Sequence, residues 1–417
     1  MKNMKQRGIP LLEAVEEKLI GSLDKDEIVS LVRDLVRLDS VIRPDSGNTE
    51  SRVVSFIAEW VRANLGTEPV IEEAAPGREN IIVTLDWDRP GPALLLEGHT
   101  DVVSEGRRET WTHEPFGAEI AENRIYGRGS CDMKAGLAVN LLTAKALLAL
   151  RERLKGRLRL AIVCDEEGMM IGIKHFIARG WADGIDACLV SEPEENQLCL
   201  SMKGALRALV TVKGKMAHGA MPRTGINPNV PLARIILAFH EFESKEIERC
   251  GSHEYLGFPS VTFTVIQSPP PPEPPQLNVM PGTAFGYVDI RTIPAQDHEI
   301  LKGRLRDILA QVHRDDPSCI LDIYFIEDRP VVTLDREDPI VRLAAGAFQD
   351  ITGKKPVYNG VPGATDGTFL RARKNIPCLV NGPGPRHKPH QSDEYVDIDE
   401  LYDALRIYAL TGFRFFS

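Results

Sequence analysis

The chain has no CxxC pair, and its seven cysteines are an odd number in 417 residues. That pattern argues against a disulfide framework and fits a reducing compartment, so a cytoplasmic protein is expected. Long uncharged apolar runs are missing, and none approaches the roughly 20 residues a membrane-spanning helix needs. The N-terminal MKNMKQRGIPLLEAVEEKL mixes basic and acidic residues around no extended apolar centre, unlike a secretory signal. Basic charge is in deficit, with 50 Lys and Arg against 60 Asp and Glu and a net charge of −10. A nucleic-acid partner, which usually requires a basic face, is therefore not expected. An anionic small substrate stays open, because one local arginine can decide that. A dinucleotide fingerprint is absent too: GRGSCDMKAG sets glycines before a helix but does not read GxGxxG.

What is present reads as a soluble globular protein, 43% hydrophobic and 26% charged, and its length favours two domains. Residues 24–37 and 49–64 carry apolar positions at helical spacing. NIIVTL (80–85), PALLL (92–96), LRLAIV (158–163) and ACLV (187–190) read as buried strands, with a helix over 134–150 between two of them. This alternation predicts an α/β fold built on a mixed, largely parallel sheet flanked by helices. The middle differs. Segments 204–215, 228–243, 260–268, 283–292, 296–313 and 319–328 read β-α-β-β-α-β, the order of a ferredoxin-like α+β domain. PPPPEPPQ (269–276) is a stiff surface loop between its middle strands. The α/β pattern resumes with a helix near 339–352 and a strand at IPCLV (376–380). The expected organisation is one α/β domain from 1–202 and 329–417, with a smaller domain inserted at 203–328.

In an open parallel sheet, ligands bind beyond the carboxyl ends of the strands. PALLL is followed by Glu97-Gly98-His99-Thr100-Asp101, and LRLAIV by Cys164-Asp165-Glu166-Glu167. ACLV is followed by Ser191-Glu192, and IPCLV by a Gly/Pro-rich turn and then His387 and His390. Asp132 stands just before a helix. Separately each cluster is weak. Together they would crowd like charges into one cleft, which divalent cations would offset. Two histidines and several carboxylates suit zinc, with cobalt or manganese as alternatives.

The segments EGHTDVV, YGRGSCDMKAG, CDEEGM, SEP, GKMAHGAMP with GINPN, NVMPG with DIR, GATDG and HQSDEYV occur in that order. In these the chain resembles, over nearly its whole length, a family of dinuclear zinc amidohydrolases and metallopeptidases. That family includes acetylornithine deacetylase, succinyl-diaminopimelate desuccinylase, aminoacylase and the glutamate carboxypeptidases. The resemblance implies a zinc-peptidase-like catalytic domain with an inserted lid or dimerisation domain. It implies two divalent metal ions, with Asp132 bridging them, His99 and Glu192 completing one set of ligands, and Glu167 and His390 the other. His387 competes with His390 for that last place, but His390 carries the family's following Gln-Ser-Asp-Glu. Glu166 matches the general base acting on a water between the metals. Asp101 matches the carboxylate that supports the site, and by sharing a face with His99 it is expected to fix that ring's tautomer. His218 matches an oxyanion-stabilising histidine, supplied by the partner's insert in dimeric members. Asn278, Arg291, Gly363, Ala364 and Thr365 match positions near the substrate, and Arg291 could clamp a carboxylate or simply form a surface ion pair.

The implied activity is hydrolysis of an N-acyl amino acid, as in a deacetylase or desuccinylase. A dipeptidase or glutamate-type carboxypeptidase using the same site is the alternative, and a catalytically inactive metal-containing binding protein a remoter one. The expected partners are a small N-acyl amino acid or dipeptide and a second copy of the chain, bound through the insert, with no nucleic acid and no membrane.

Overall fold

The computed structural model describes residues 13–417, so most of the N-terminal stretch weighed above as a secretory signal lies outside it. The chain folds into two compact units. One comprises the described residues up to Leu200, Leu334–Gly360 and Thr365–Ser417; the other comprises Ser201–Thr333 and Val361–Ala364. The second unit is slightly wider than the 203–328 read from the sequence.

The first unit is built on a mixed sheet. Its strands run in the spatial order Val70–Ala75, Arg78–Asp86, Arg157–Val163, Ala93–His99, Ala187–Val190, Cys378–Val380, Leu198–Met202. Ala93–His99 pairs in parallel with Arg157–Val163 on one side and Ala187–Val190 on the other. Ala187–Val190 pairs in parallel with Cys378–Val380. Four adjacent strands therefore point their carboxyl ends the same way. Arg78–Asp86 runs antiparallel to Arg157–Val163. Every residue of Ala93–His99 is buried, so both faces of that strand are covered, as its unbroken apolar run requires. Helix Lys134–Leu148 packs on it and is apolar almost all round. Helix Ile398–Phe416 packs on Lys134–Leu148 in turn.

The second unit is an antiparallel sheet ordered Ser260–Gln267, Thr283–Thr292, Gly204–Lys213, Ile320–Arg329. Helices Asn229–Cys250 and His298–Asp315 pack together and onto it. Alternate residues of Gly204–Lys213 (Leu206, Ala208, Val210, Val212) meet Leu232, Ile235 and Phe239 of one helix and Leu301, Leu305 and Leu309 of the other. That is the ferredoxin-like order with its own core.

All seven cysteines are free, and six of them are buried. Among the described residues no helix is long and apolar enough to cross a membrane.

Candidate metal centre

The four parallel strands set up the site by ending together. His99 closes the strand Ala93–His99 and is buried. Its Nδ1–H donates to the backbone carbonyl of Asp101 at 2.9 Å. Its Nε2 then faces Asp132 Oδ1 at 3.2 Å and Glu192 Oε1 at 3.6 Å. The sequence reading gave the tautomer-fixing duty to the Asp101 carboxylate, and here the structure corrects it. That carboxylate lies 3.6 Å from Nδ1. It is occupied instead with the backbone N–H groups of Glu166 and Glu167, each at 3.1 Å. The turn after the strand points the carbonyl back at the ring and sends the side chain to the neighbouring loop.

Asp132 lies between the two histidines. Its Oδ1 faces His99, and its Oδ2 is 3.5 Å from His390 Nε2, which also meets Glu167 Oε1 at 3.0 Å. His99, Asp132 and Glu167 each present a ligating atom within 4.8 Å of the others, and so do His99, Glu166 and Glu192. All five expected ligands and Glu166 are thus gathered in one place. His390 enters through its contacts with Asp132 and Glu167 rather than through either group, whereas His387 lines a cleft with Arg124, Glu195 and Tyr395.

The charges are ill at ease without cations. Burial pushes the Glu166 and Glu192 carboxyls well above the usual range, and nearby carboxylates add to the effect. Burial and the charge of Asp132 raise Glu167. Burial opposes charge on His99, yet Asp132, Glu192 and Asp101 hold its pKa well above the ordinary imidazole value. Asp132 and Glu167 push His390 up to about 10. Asp132 is pulled below the carboxylate range because, against its burial, the two imidazoles outweigh it. Imidazole nitrogens and carboxylate oxygens at these separations are donors suited to divalent metal ions.

Three further features escaped sequence reasoning. Buried Glu394 accepts from the backbone N–H groups of Gly129, Cys131 and Asp132, each at 3.0 Å, and from the Arg128 guanidinium. Asp165 caps the turn after Glu166 and Glu167 by accepting from Met169 N–H at 2.9 Å, and Arg78 holds it at 3.0 Å. Gly136 leaves no room for a side chain against Ser191. The Glu394 and Gly136 contacts and the Arg78–Asp165 pair join segments distant in sequence, whereas the Asp165 turn is local; Glu394 stood in the Gln-Ser-Asp-Glu run after His390 with no role of its own.

In the second unit, Ala217–His218 forms a two-residue strand with Val279–Met280. Gly219 N–H donates to the Asn278 carbonyl at 2.7 Å, which sets Asn278 beside the residue that follows His218. Exposed His218 accepts the Ala220 N–H on Nδ1 at 3.1 Å, leaving its neutral-form proton on Nε2. Arg291 forks onto Asp289, two residues back on the same strand face, at 2.6 and 3.1 Å. Of the expected pocket loop, Gly363 and Ala364 belong to the second unit and Thr365 to the first.

The model of peptidase family M20/M25/M40 matches residues 95–412. A succinyl-diaminopimelate desuccinylase of Rhodospirillum centenum is 28% identical over 397 residues, covering 93% of this chain and 97% of the relative. An acetylornithine deacetylase of Aliivibrio fischeri is 31% identical over 355 residues, covering 84% and 88%. An M20 metallo-carboxypeptidase from Sulfolobus solfataricus shares the fold with a TM-score of 0.76 at 19% identity, over 94% of this chain and 99% of that one. The chain is an amide-bond hydrolase, and it belongs to peptidase family M20/M25/M40.

Proposed function

We infer that the protein removes an acyl group from an N-acyl amino acid, in the manner of a deacetylase or desuccinylase. The observation that carries this is Asp132, set between His99 and His390 with one oxygen toward each, among Glu166, Glu167 and Glu192. Two divalent ions, zinc being best suited, would be held by His99, Glu192 and Asp132 on one side and by Glu167, His390 and Asp132 on the other. When bound, such ions polarise the scissile carbonyl and make water acidic enough to attack at neutral pH.

The chain's own residues supply the rest. Glu166 takes the proton of the attacking water and passes it to the leaving amine. Its burial favours this shuttling, because the protonated form is cheap there. Asp101 holds Glu166 and Glu167 by their backbone N–H groups, so one glutamate can turn to the metal while the other faces water. His218 is assigned the oxyanion donor through its Nε2–H, in a homodimer joined by the insert. Asn278 and the 363–365 loop are assigned to the substrate. Arg291 can bind a carboxylate only by sharing or releasing Asp289.

A panel of N-acetyl amino acids, N-succinyl amino acids and dipeptides, assayed before and after chelation, tests this reading. Deacylation that disappears with the metal and returns with zinc, cobalt or manganese supports it. Preferential dipeptide cleavage moves the assignment to the peptidase alternative. A metal-loaded protein that cleaves none of the three overturns it.

A further inference from the structure

Glu394 is fully buried, and Arg128 beside it is nearly so. One oxygen of Glu394, Oε1, accepts three backbone N–H groups from a single loop: Gly129, Cys131 and Asp132, each at 3.0 Å. Its other oxygen accepts from Arg128. Arg128 in turn donates to the Ser104 carbonyl at 3.2 Å and lies over the Trp111 ring at 5.2 Å. Three converging N–H groups would be costly to bury without an acceptor. A carboxylate is a far better acceptor for them than a neutral oxygen. The loop they belong to ends in Asp132, the residue assigned to bridge the metals. Glu394 itself lies four residues after His390, so one short segment carries both a ligand and the anchor of another ligand.

We propose that Glu394, charge-balanced by Arg128, is a positioning residue that fixes the Asp132 loop in its metal-bridging conformation before any metal arrives. This deepens the metal-centre reading and rests on it. The design repeats what Asp101 does for Glu166 and Glu167: a buried carboxylate grips the backbone beneath a ligand and leaves the ligand's own side chain free. It differs from a general packing role in one respect. The anchor controls where Asp132 points, and so it should show in metal affinity and turnover more than in folding.

The test uses the full chain and two independent readouts. First, Glu394→Gln and Glu394→Asp are titrated with zinc and cobalt against a competing chelator, and their kcat and KM are measured at saturating metal alongside thermal melting. Gln keeps the shape and loses the charge; Asp keeps the charge and withdraws the oxygen from the three N–H groups. About 10- to 100-fold weaker metal binding, with kcat falling by a similar factor and KM by far less, is the expected result. Wild-type metal affinity and kcat in either folded variant would overturn the proposal, whatever happens to the melting temperature.

Second, amide hydrogen exchange at Gly129, Cys131 and Asp132 is followed in the metal-free wild type, which needs no variant to fold. Strong protection without metal is expected. Rapid exchange that slows only on metal addition would show that the metal, not Glu394, orders the loop. Neither readout except turnover needs a substrate. Failure of the deacylase assignment would therefore leave the affinity and exchange results standing, and loss of the positioning role would leave substrate identity untouched.

Discussion

Glu166 and Glu167 are neighbours in the chain with different proposed duties, and substitution can separate them. Glu166 also falls within a donor group with His99 and Glu192, so geometry alone would let it bind metal. As the base, Glu166→Gln should lower kcat about 10²- to 10⁴-fold while two metal ions remain bound, as steady-state kinetics and elemental analysis will show. Loss of one metal equivalent in that variant would make Glu166 a ligand. His390 gives a second residue-scale expectation. In the metal-free protein Asp132 and Glu167 push it up to about 10, so at neutral pH its proton occupies the place a metal would take. Metal uptake must expel that proton. Affinity should therefore rise as pH increases through neutrality and level off only near pH 10. Calorimetry in buffers of different ionisation heats should detect proton release at pH 7. The proposed ligands were legible through the run of family-like motifs, with His99, Glu167 and Glu192 also standing at or just after strand ends and Asp132 just before a helix. The Asp101 contact was not, because whether its carbonyl or its carboxylate meets His99 depends on a turn angle that no residue pattern reports.

At the scale of elements, the site depends on how closely helix Lys134–Leu148 approaches the end of strand Ala187–Val190. A Cβ on Gly136 would stand 2.1 Å from the Ser191 carbonyl oxygen and 2.7 Å from its hydroxyl. Ser191 is itself tied down, accepting from Asn140 at 2.9 Å and donating to the Glu97 carbonyl at 3.1 Å. It cannot yield cheaply. Gly136→Ala should therefore force the helix outward at a cost of about 1–3 kcal/mol, read from denaturant melts. It should also weaken metal binding, because the displaced residue immediately precedes Glu192. The neighbouring Ala135 is buried without conflict, so Ala135→Gly should cost only the usual helix penalty of about 1 kcal/mol and spare the metal. The helix was legible as a long apolar run between two expected strands. The strand Ala217–His218 was not, since two residues carry no alternation and their pairing with Val279–Met280 is set by distant sequence.

At the scale of the molecule, the insertion was readable because the α/β alternation stops near residue 203 and resumes after 328. What the two units do on unfolding follows from where their cores and charges lie. Every assigned metal ligand (His99, Asp132, Glu167, Glu192 and His390) belongs to the first unit. The second has a separate core running from Leu206 to Phe325 that contains none of them. A metal that binds only the folded first unit stabilises that unit by RT ln(1 + [M]/Kd), about 4 kcal/mol at a thousandfold excess over Kd. The carboxylates whose repulsion it relieves are all there as well. Chelation should therefore lower the melting of the first unit and leave the second nearly unmoved, giving two resolved transitions in calorimetry where the loaded protein shows them closer together. Hydrogen exchange assigns them: amides of Ala93–His99 should lose protection with the metal, and those of Gly204–Lys213 should keep theirs. If both sets lose protection in parallel, the units unfold as one cooperative body, and the energy of the metal centre is felt through the whole chain.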